Sequence, residues 1–280
     1  MDEDTYTYIM ASNPVYFDIK PENNDSFRER GAVFVRNEGE RRSCIYIYKE
    51  HRMPQRIMNK IGRIESGEEI IDVAKEGDKI AVETIPKHAL FVGLTQKEAE
   101  EKMKEMDIEQ ERIGDESDEA IIVSQEPAYT MEVYKHRRVK TMGIPHEELI
   151  YIHFFEDKAP KTVHYMRNIT GLYKNYPIGR LQIMVAMDSL VLFQMGGKKE
   201  ALIHENLPTG KIKAGLIGVT NMSRPSCGVI GIRLEESDEY GPTGEVFEST
   251  NIVGEVKKGL ERVKNVKKGI IWFKDVTHHP

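Results

Sequence analysis

The sequence predicts a mainly β protein with smaller α+β parts, on three observations. A β-rich pattern occurs twice. Gly31-Ala32-Val33-Phe34-Val35-Arg36-Asn37, then Ser43-Cys44 and Ile45-Tyr46-Ile47-Tyr48, is echoed by Gly215-Leu216-Ile217-Gly218-Val219-Thr220-Asn221, then Ser226-Cys227 and Val229-Ile230-Gly231-Ile232-Arg233. Each copy ends alike, with Asn59 to Gly67 in the first and Asn251 to Gly259 in the second at the same interval. Finally, period-two alternation of β-branched and aromatic residues dominates the chain, as a pleated, half-buried surface requires.

Taken in order, residues 1–85 read as a partial β-unit. Asn13-Pro14 and Lys20-Pro21-Glu22-Asn23-Asn24-Asp25 are turns. Val33 and Val35 alternate, as do Ile45 and Ile47, and Gly77-Asp78-Lys79 turns the chain into a strand at Ile80-Ala81-Val82. Residues 86–145 read as helix plus strands. Thr95 and Glu98 form a capping box, each closing on the other's amide. Ala99, Met103 and Met106 then share one helical face. Strands follow at Ile108–Ile113, Ala120–Val123 and Thr130–Tyr134, and the basic run Lys135-His136-Arg137-Arg138-Val139-Lys140 reads as a solvated linker with potential to dock an acidic partner. Residues 146–280 open with an apolar strand, Leu149–Phe155. Pro160 suits the first turn of the next helix because its missing N–H was unpaired anyway. Val163, Met166 and Ile169 supply the buried stripe and Gly171 the stop. Strands at Leu181–Met187 and Leu190–Gln194, the second β-unit, a helix at Val256–Lys264 and a strand at Ile270–Phe273 complete the chain.

A net charge of −6 gives no electrostatic reason to expect a nucleic-acid partner. No apolar run approaches the ~18–20 residues that span a bilayer. Two cysteines make no disulfide framework, so a reducing cytoplasm is the simplest setting.

Residues 150–276 resemble a cyclophilin-type β-barrel. Asp157 to Arg167 is similar to that fold's first helix, Phe193-Gln194-Met195-Gly196-Gly197 to its glutamine-glycine segment, and Asn251 to Val256 to the strand before its last helix. In the middle region, Gly93-Leu94-Thr95, Glu98-Ala99, Ile108 and Val123-Ser124-Gln125-Glu126-Pro127 resemble the PASTA module. The chain from about Gly31 resembles the methanogenesis marker protein 3 family, most specifically in Gly218 to Arg224, Gly231 to Leu234 and Glu239-Tyr240-Gly241-Pro242-Thr243-Gly244-Glu245. These resemblances imply a cyclophilin-like barrel at the C-terminus, a small PASTA-like middle module and a partial cyclophilin-like unit at the N-terminus. They also imply an accessory role in maturing or activating methyl-coenzyme M reductase. The second copy has a strand, helix and strand before Gly215, where the first has only a polar stretch before Gly31. The first barrel is therefore expected to lack its front half, with either Met1 an internal start or another chain supplying the strands. An open sheet edge is a template for association.

The cyclophilin resemblance implies that Arg180, with Gln194, would act in prolyl isomerisation. The interval between them looks long for that role, no aromatic lining is evident, and the plainer reading of Arg180 is a solvated strand-edge charge. Against an uncatalysed barrier of ~18–20 kcal/mol, a misplaced arginine would do little. Cys44 and Cys227 read as occupying corresponding repeat positions. They are weak candidates for metal ligands, because neither has the second cysteine or histidine that a zinc site shows, and the plainer reading is two small buried hydrophobes. The histidines are scattered, with His278-His279 a terminal pair. Ser223 lacks a nucleophile elbow, Gly241 to Gly244 is a turn, and His204-Glu205-Asn206 is a loop. No cofactor is expected. The leading reading is a non-catalytic scaffold acting through protein–protein contacts with the reductase-activation machinery, with no nucleic acid or membrane involved. A divergent peptidyl-prolyl isomerase and a small-molecule or metal-centre binding module are the alternatives.

Overall fold

Inward-facing apolar residues alternate with outward-facing ones along nearly every strand of the C-terminal region, and this closes a barrel. The computed structural model describes residues 3–4, 8–11, 19–22, 27–78, 80–172, 177–194, 201–208, 210–223 and 227–277. Several sequence features lie outside the described residues: Asn13-Pro14, Asn23 to Asp25, Met195-Gly196-Gly197, Arg224 to Ser226 and His278-His279. Two compact units are present, Met1–Lys87 and His88–Pro280.

The first unit holds strands β1 (Glu3–Asp4), β2 (Tyr8–Ala11), β3 (Ala32–Arg36), β4 (Ile45–Tyr48) and β5 (Met58–Arg63), followed by a single helical turn, α1 (Ile70–Val73). The sheet order is β1-β2-β4-β3-β5. Phe34, Tyr46 and Tyr48 are buried on one face, with Arg28 stacked over Tyr48 at 5.0 Å.

The second unit begins with α2 (Gln96–Glu105), whose Thr95–Glu98 capping box forms as the sequence predicts. A three-stranded sheet follows from β6 (Glu109–Gly114), β7 (Ile121–Glu126) and β8 (Arg138–Ile144), with α3 (Thr130–His136) between the last two. Then come β9 (Leu149–Phe154), α4 (Pro160–Ile169), β10 (Ile178–Ala186), β11 (Leu190–Phe193), β12 (Leu216–Thr220), β13 (Ile230–Arg233), β14 (Thr250–Lys258), α5 (Leu260–Asn265) and β15 (Ile270–Asp275). Strands β10-β11-β13-β12-β14-β9-β15 form a closed barrel, as the cyclophilin resemblance implied. Ile152, Phe154, Leu181, Phe193, Ile217, Val219, Ile230, Ile232, Val253 and Phe273 fill it, joined by Val163 and Met166 of α4. The small sheet does not stand apart. Leu149, Ile178, Tyr151 and Trp272 on the barrel share one apolar cluster with Phe91, Met103 and Val123. A Cβ on Gly93 would lie 2.7 Å from the Pro177 ring, so the backbone there packs at closest approach.

Four local expectations are corrected. Residues 80–82 form no strand, and Ile80, Val82 and Ile85 are exposed. Thr130–Tyr134 is helical: Met131 points to solvent while Val133 is fully buried, and Arg137 in the left-handed region (φ 54°) ends the helix. The basic run is no linker, since Arg138–Lys140 opens β8, the central strand, with Val139 buried and both cations paired to Glu111 at 3.0 and 3.2 Å. The last helix starts at Leu260 because β14 continues to Lys258 and Gly259 (φ 91°) turns the chain.

Candidate functional site

Two asparagines on paired strands organise the rim of the barrel. Val219 pairs with Asn251 across β12 and β14, and Asn221 follows β12 directly. Asn251 is fully buried, and both halves of its amide are used. Its Nδ2 donates to Thr162 Oγ1 (2.8 Å) and Ile203 O (2.7 Å), while its Oδ1 accepts from the Glu205 amide (3.1 Å) and from Asn221 Nδ2 (3.3 Å). Asn221 Nδ2 also donates to Glu248 O (2.9 Å). The carboxylate of Glu205 then accepts from the Lys161 and Thr162 amides (3.0 and 2.8 Å) and from the Thr162 hydroxyl (2.5 Å). It occupies the electropositive N-terminus of α4, where free amides and the helix dipole favour negative charge. A segment read from sequence as a plain loop thus clamps a helix.

The same clasp recurs in the first unit. Asn37 Nδ2 donates to Asn59 Oδ1 (2.7 Å) and Arg56 O (2.9 Å), Asn59 Nδ2 donates to Lys20 O (2.8 Å), and the Glu22 amide donates to Asn59 Oδ1 (3.1 Å). Strand register agrees. Val33 pairs with Gly62, a bulge intervenes, and Phe34 and Val35 pair with Lys60 and Asn59. Ile217 pairs with Gly254, a bulge intervenes, and Gly218 and Val219 pair with Ile252 and Asn251. Strand order β1-β2-β4-β3-β5 matches β10-β11-β13-β12-β14.

This register corrects the placement of the cysteines. The Ser43 amide donates to Arg36 O and the Gly228 amide to Thr220 O, both at 2.8 Å, and both residues have positive φ (71° and 88°). Cys44 therefore corresponds to Val229, not to Cys227. Cys44 is buried and Cys227 half-buried, and among the described residues no cluster of three His, Cys, Asp or Glu is placed to hold a metal ion.

Arg180 lies exposed on the outer face of β10, paired across the ladder with Trp272, and its guanidinium has no hydrogen-bond or ion-pair partner among the described residues. The long interval to Gln194 is closed by the β10–β11 hairpin. The Gln194 amide donates to Gln182 O (3.0 Å), which puts exposed Gln194 beside the strand that carries Arg180. Two and three strands away, on β13 and β12, the outer face is already occupied. A Cβ on Gly231 would lie 2.3 Å from Pro242 O, and one on Gly218 would lie 3.2 Å from the Pro242 ring. Gly241, Pro242 and Thr243 are buried there, held by Gly241 N to Glu245 O (2.8 Å) and by Thr243 Oγ1 to Thr250 Oγ1 (2.5 Å). The two barrel glycines exist so that this turn can lie on the sheet.

Elsewhere, a groove of about 570 Å³ beside α2 is lined by Glu100, Lys104, Gln110 and Arg112. Glu100 there is held by Lys104 and by Arg112, both at 2.6 Å.

Comparison with known proteins adds the biological setting. Residues 150–276 match a family model described as "Putative peptidyl-prolyl cis-trans isomerase domain". A UPF0288 protein of Methanopyrus kandleri is 42% identical over 266 residues, covering 94% of this chain and 51% of the relative. One from Methanothermobacter thermautotrophicus is 42% identical over 89% of this chain and 48% of its own length, and one from Methanococcus aeolicus 35% over 98% and 55%. The chain's relatives are UPF0288 proteins of methanogens. It spans about half the length of the curated UPF0288 relatives it matches. No helix among the described residues is long and apolar enough to cross a membrane.

Proposed function

We propose that this protein is a non-catalytic accessory protein of methane-producing archaea, working through protein–protein contacts in the assembly that matures or activates methyl-coenzyme M reductase. The setting rests on the UPF0288 relatives from methanogens, and the assembly on the resemblance to methanogenesis marker protein 3. The observation that carries the non-catalytic reading is the buried turn Gly241-Pro242-Thr243 on the outer barrel face. A peptide laid across β12 and β13 on that face meets the chain's own backbone. Anaerobic affinity purification from a methanogen tests the proposal: reductase-activation components should co-purify at fixed ratio, and recovery of the protein alone would overturn it.

A second reading, a divergent prolyl isomerase, draws support from the family description over residues 150–276 and from Gln194 lying beside the strand of Arg180. Isomerisation of a proline tetrapeptide, abolished by Arg180→Ala with the fold intact, would establish it in place of the first. No cofactor is invoked in either.

A further inference from the structure

We propose that the N-terminal sheet is an unfinished barrel, completed by a strand followed by a helix of the kind that its longer relatives carry outside the matched region. The inference goes beyond the accessory role and does not depend on it.

The second unit shows what a finished copy requires. There β14 pairs on its far edge with β9, antiparallel, with Gly254 opposite Phe154 and Val256 opposite Ile152. The equivalent edge of β5 pairs with no strand among the described residues. Ile217, Val219, Ile230 and Ile232 are fully buried inside the closed barrel. Their counterparts Val33, Val35, Ile45 and Ile47 are only half-buried. Most telling, Ile61 is 55% exposed where its counterpart Val253 is 0% exposed. The residues that cover this face in the complete copy, Phe154, Val163 and Met166, come from β9 and α4.

Two further features point to the same occupant. Gly77 follows Gly67 at the interval by which Gly269 follows Gly259, all four with positive φ. After Gly269 the chain forms β15, bonded to β9 and β10; after Gly77 it forms no strand, and Val82 is 76% exposed. A closing strand there would have only β1, the counterpart of β10, as a ladder neighbour, because the counterpart of β9 is missing among the described residues. Glu22 occupies the position of Glu205, its amide likewise bonded to the clasp asparagine, yet its side chain is exposed instead of capping a helix.

The occupant is therefore specified. It is a strand of alternating apolar residues running antiparallel to β5, then an amphipathic helix whose first amides meet the Glu22 carboxylate, with residues 80–84 closing beside it. A segment of the same polypeptide is favoured because the UPF0288 relatives are about twice as long as the matched region, and tethering raises effective concentration without any new contact.

Amide hydrogen exchange on this chain and on the whole Methanopyrus kandleri relative tests the proposal. Amides of residues 80–84, and those of β5 that face away from β3, should exchange freely in the 280-residue chain, whereas that of Ile64, which donates to Gly31 O at 2.8 Å, is protected. The equivalents of the freely exchanging amides should exchange about 100-fold or more slowly in the whole relative, while β3 amides are protected in both. Equal exchange at either set in the two proteins overturns the proposal. Protection of both sets already in the 280-residue chain assigns the occupant to a second copy and overturns it too.

Discussion

Asn251 is the residue on which most of the barrel rim depends, because four partners converge on one buried amide. Asn251→Ala leaves the Thr162 hydroxyl and the Ile203 carbonyl short of a donor and should lower stability by about 2–3 kcal/mol. A shifted urea midpoint checks this, and a change within error would mean that water replaces the amide. Gly231→Ala tests the covered face: with Pro242 O 2.3 Å from the new carbon, the turn must lift, costing about 1–3 kcal/mol by the same measurement. Both asparagine pairs were visible in the sequence as matched ends of the repeat, but not their bonding. Partners such as Thr162, Ile203 and Glu205 lie far away along the chain, and no local pattern announces them. The cysteine alignment failed for a related reason. Ser43 holds a left-handed position where the second copy has Gly228, so matching Ser-Cys with Ser-Cys slipped the register.

At the scale of elements, capping chemistry and proline placement were legible, since both act within one turn of the chain. Helix α2 has its reciprocal box, and α4 starts on Pro160. The strand expected at Ile80–Val82 was lost because a ladder needs neighbours, and propensity alone cannot supply them. Helix α3 was misread because Met131 and Val133 alternate, although only Val133 is buried. In α4, burial works against the Arg167 charge, but Asp275 and Glu156 outweigh it and hold the guanidinium above its usual value, tying the helix to β15. On the surface of the small sheet, Arg112 bonding holds the Asp118 carboxyl below its usual value, and Lys104, then Arg112, does the same for Glu100. Depressed carboxyl values mean that their contribution is fully present above the ordinary range near ~4 and is lost as pH falls through the lowered values. Arg112→Gln should flatten that acid limb of the stability profile, and salt should shrink the effect because the groups face solvent. An unchanged limb in pH-dependent urea titrations would rule the pairing out as a contributor.

For the whole molecule, the fold class was legible because alternation marks several of the barrel strands and the repeat tied two distant stretches to one plan. The sharing of a core between the small sheet and the barrel was not, because Leu149, Ile178 and Trp272 read simply as strand residues. The two units differ in how well they cover their apolar faces, and burial dominates stability. The first unit should therefore unfold at lower denaturant. Trp272 is the only tryptophan and sits in the second unit's cluster. Its fluorescence transition should lag the loss of far-UV circular dichroism on urea titration, and superimposable curves would show that the units unfold together.

The recurring asparagine clasp gives the molecule a built-in comparison. One bonding scheme is housed in a sealed setting and in an open one, so matched substitutions at Asn59 and Asn251 weigh three shared contacts in a single sample, the Thr162 hydroxyl being an added partner of Asn251 alone. The gap between their effects reads what enclosure contributes together with that added partner.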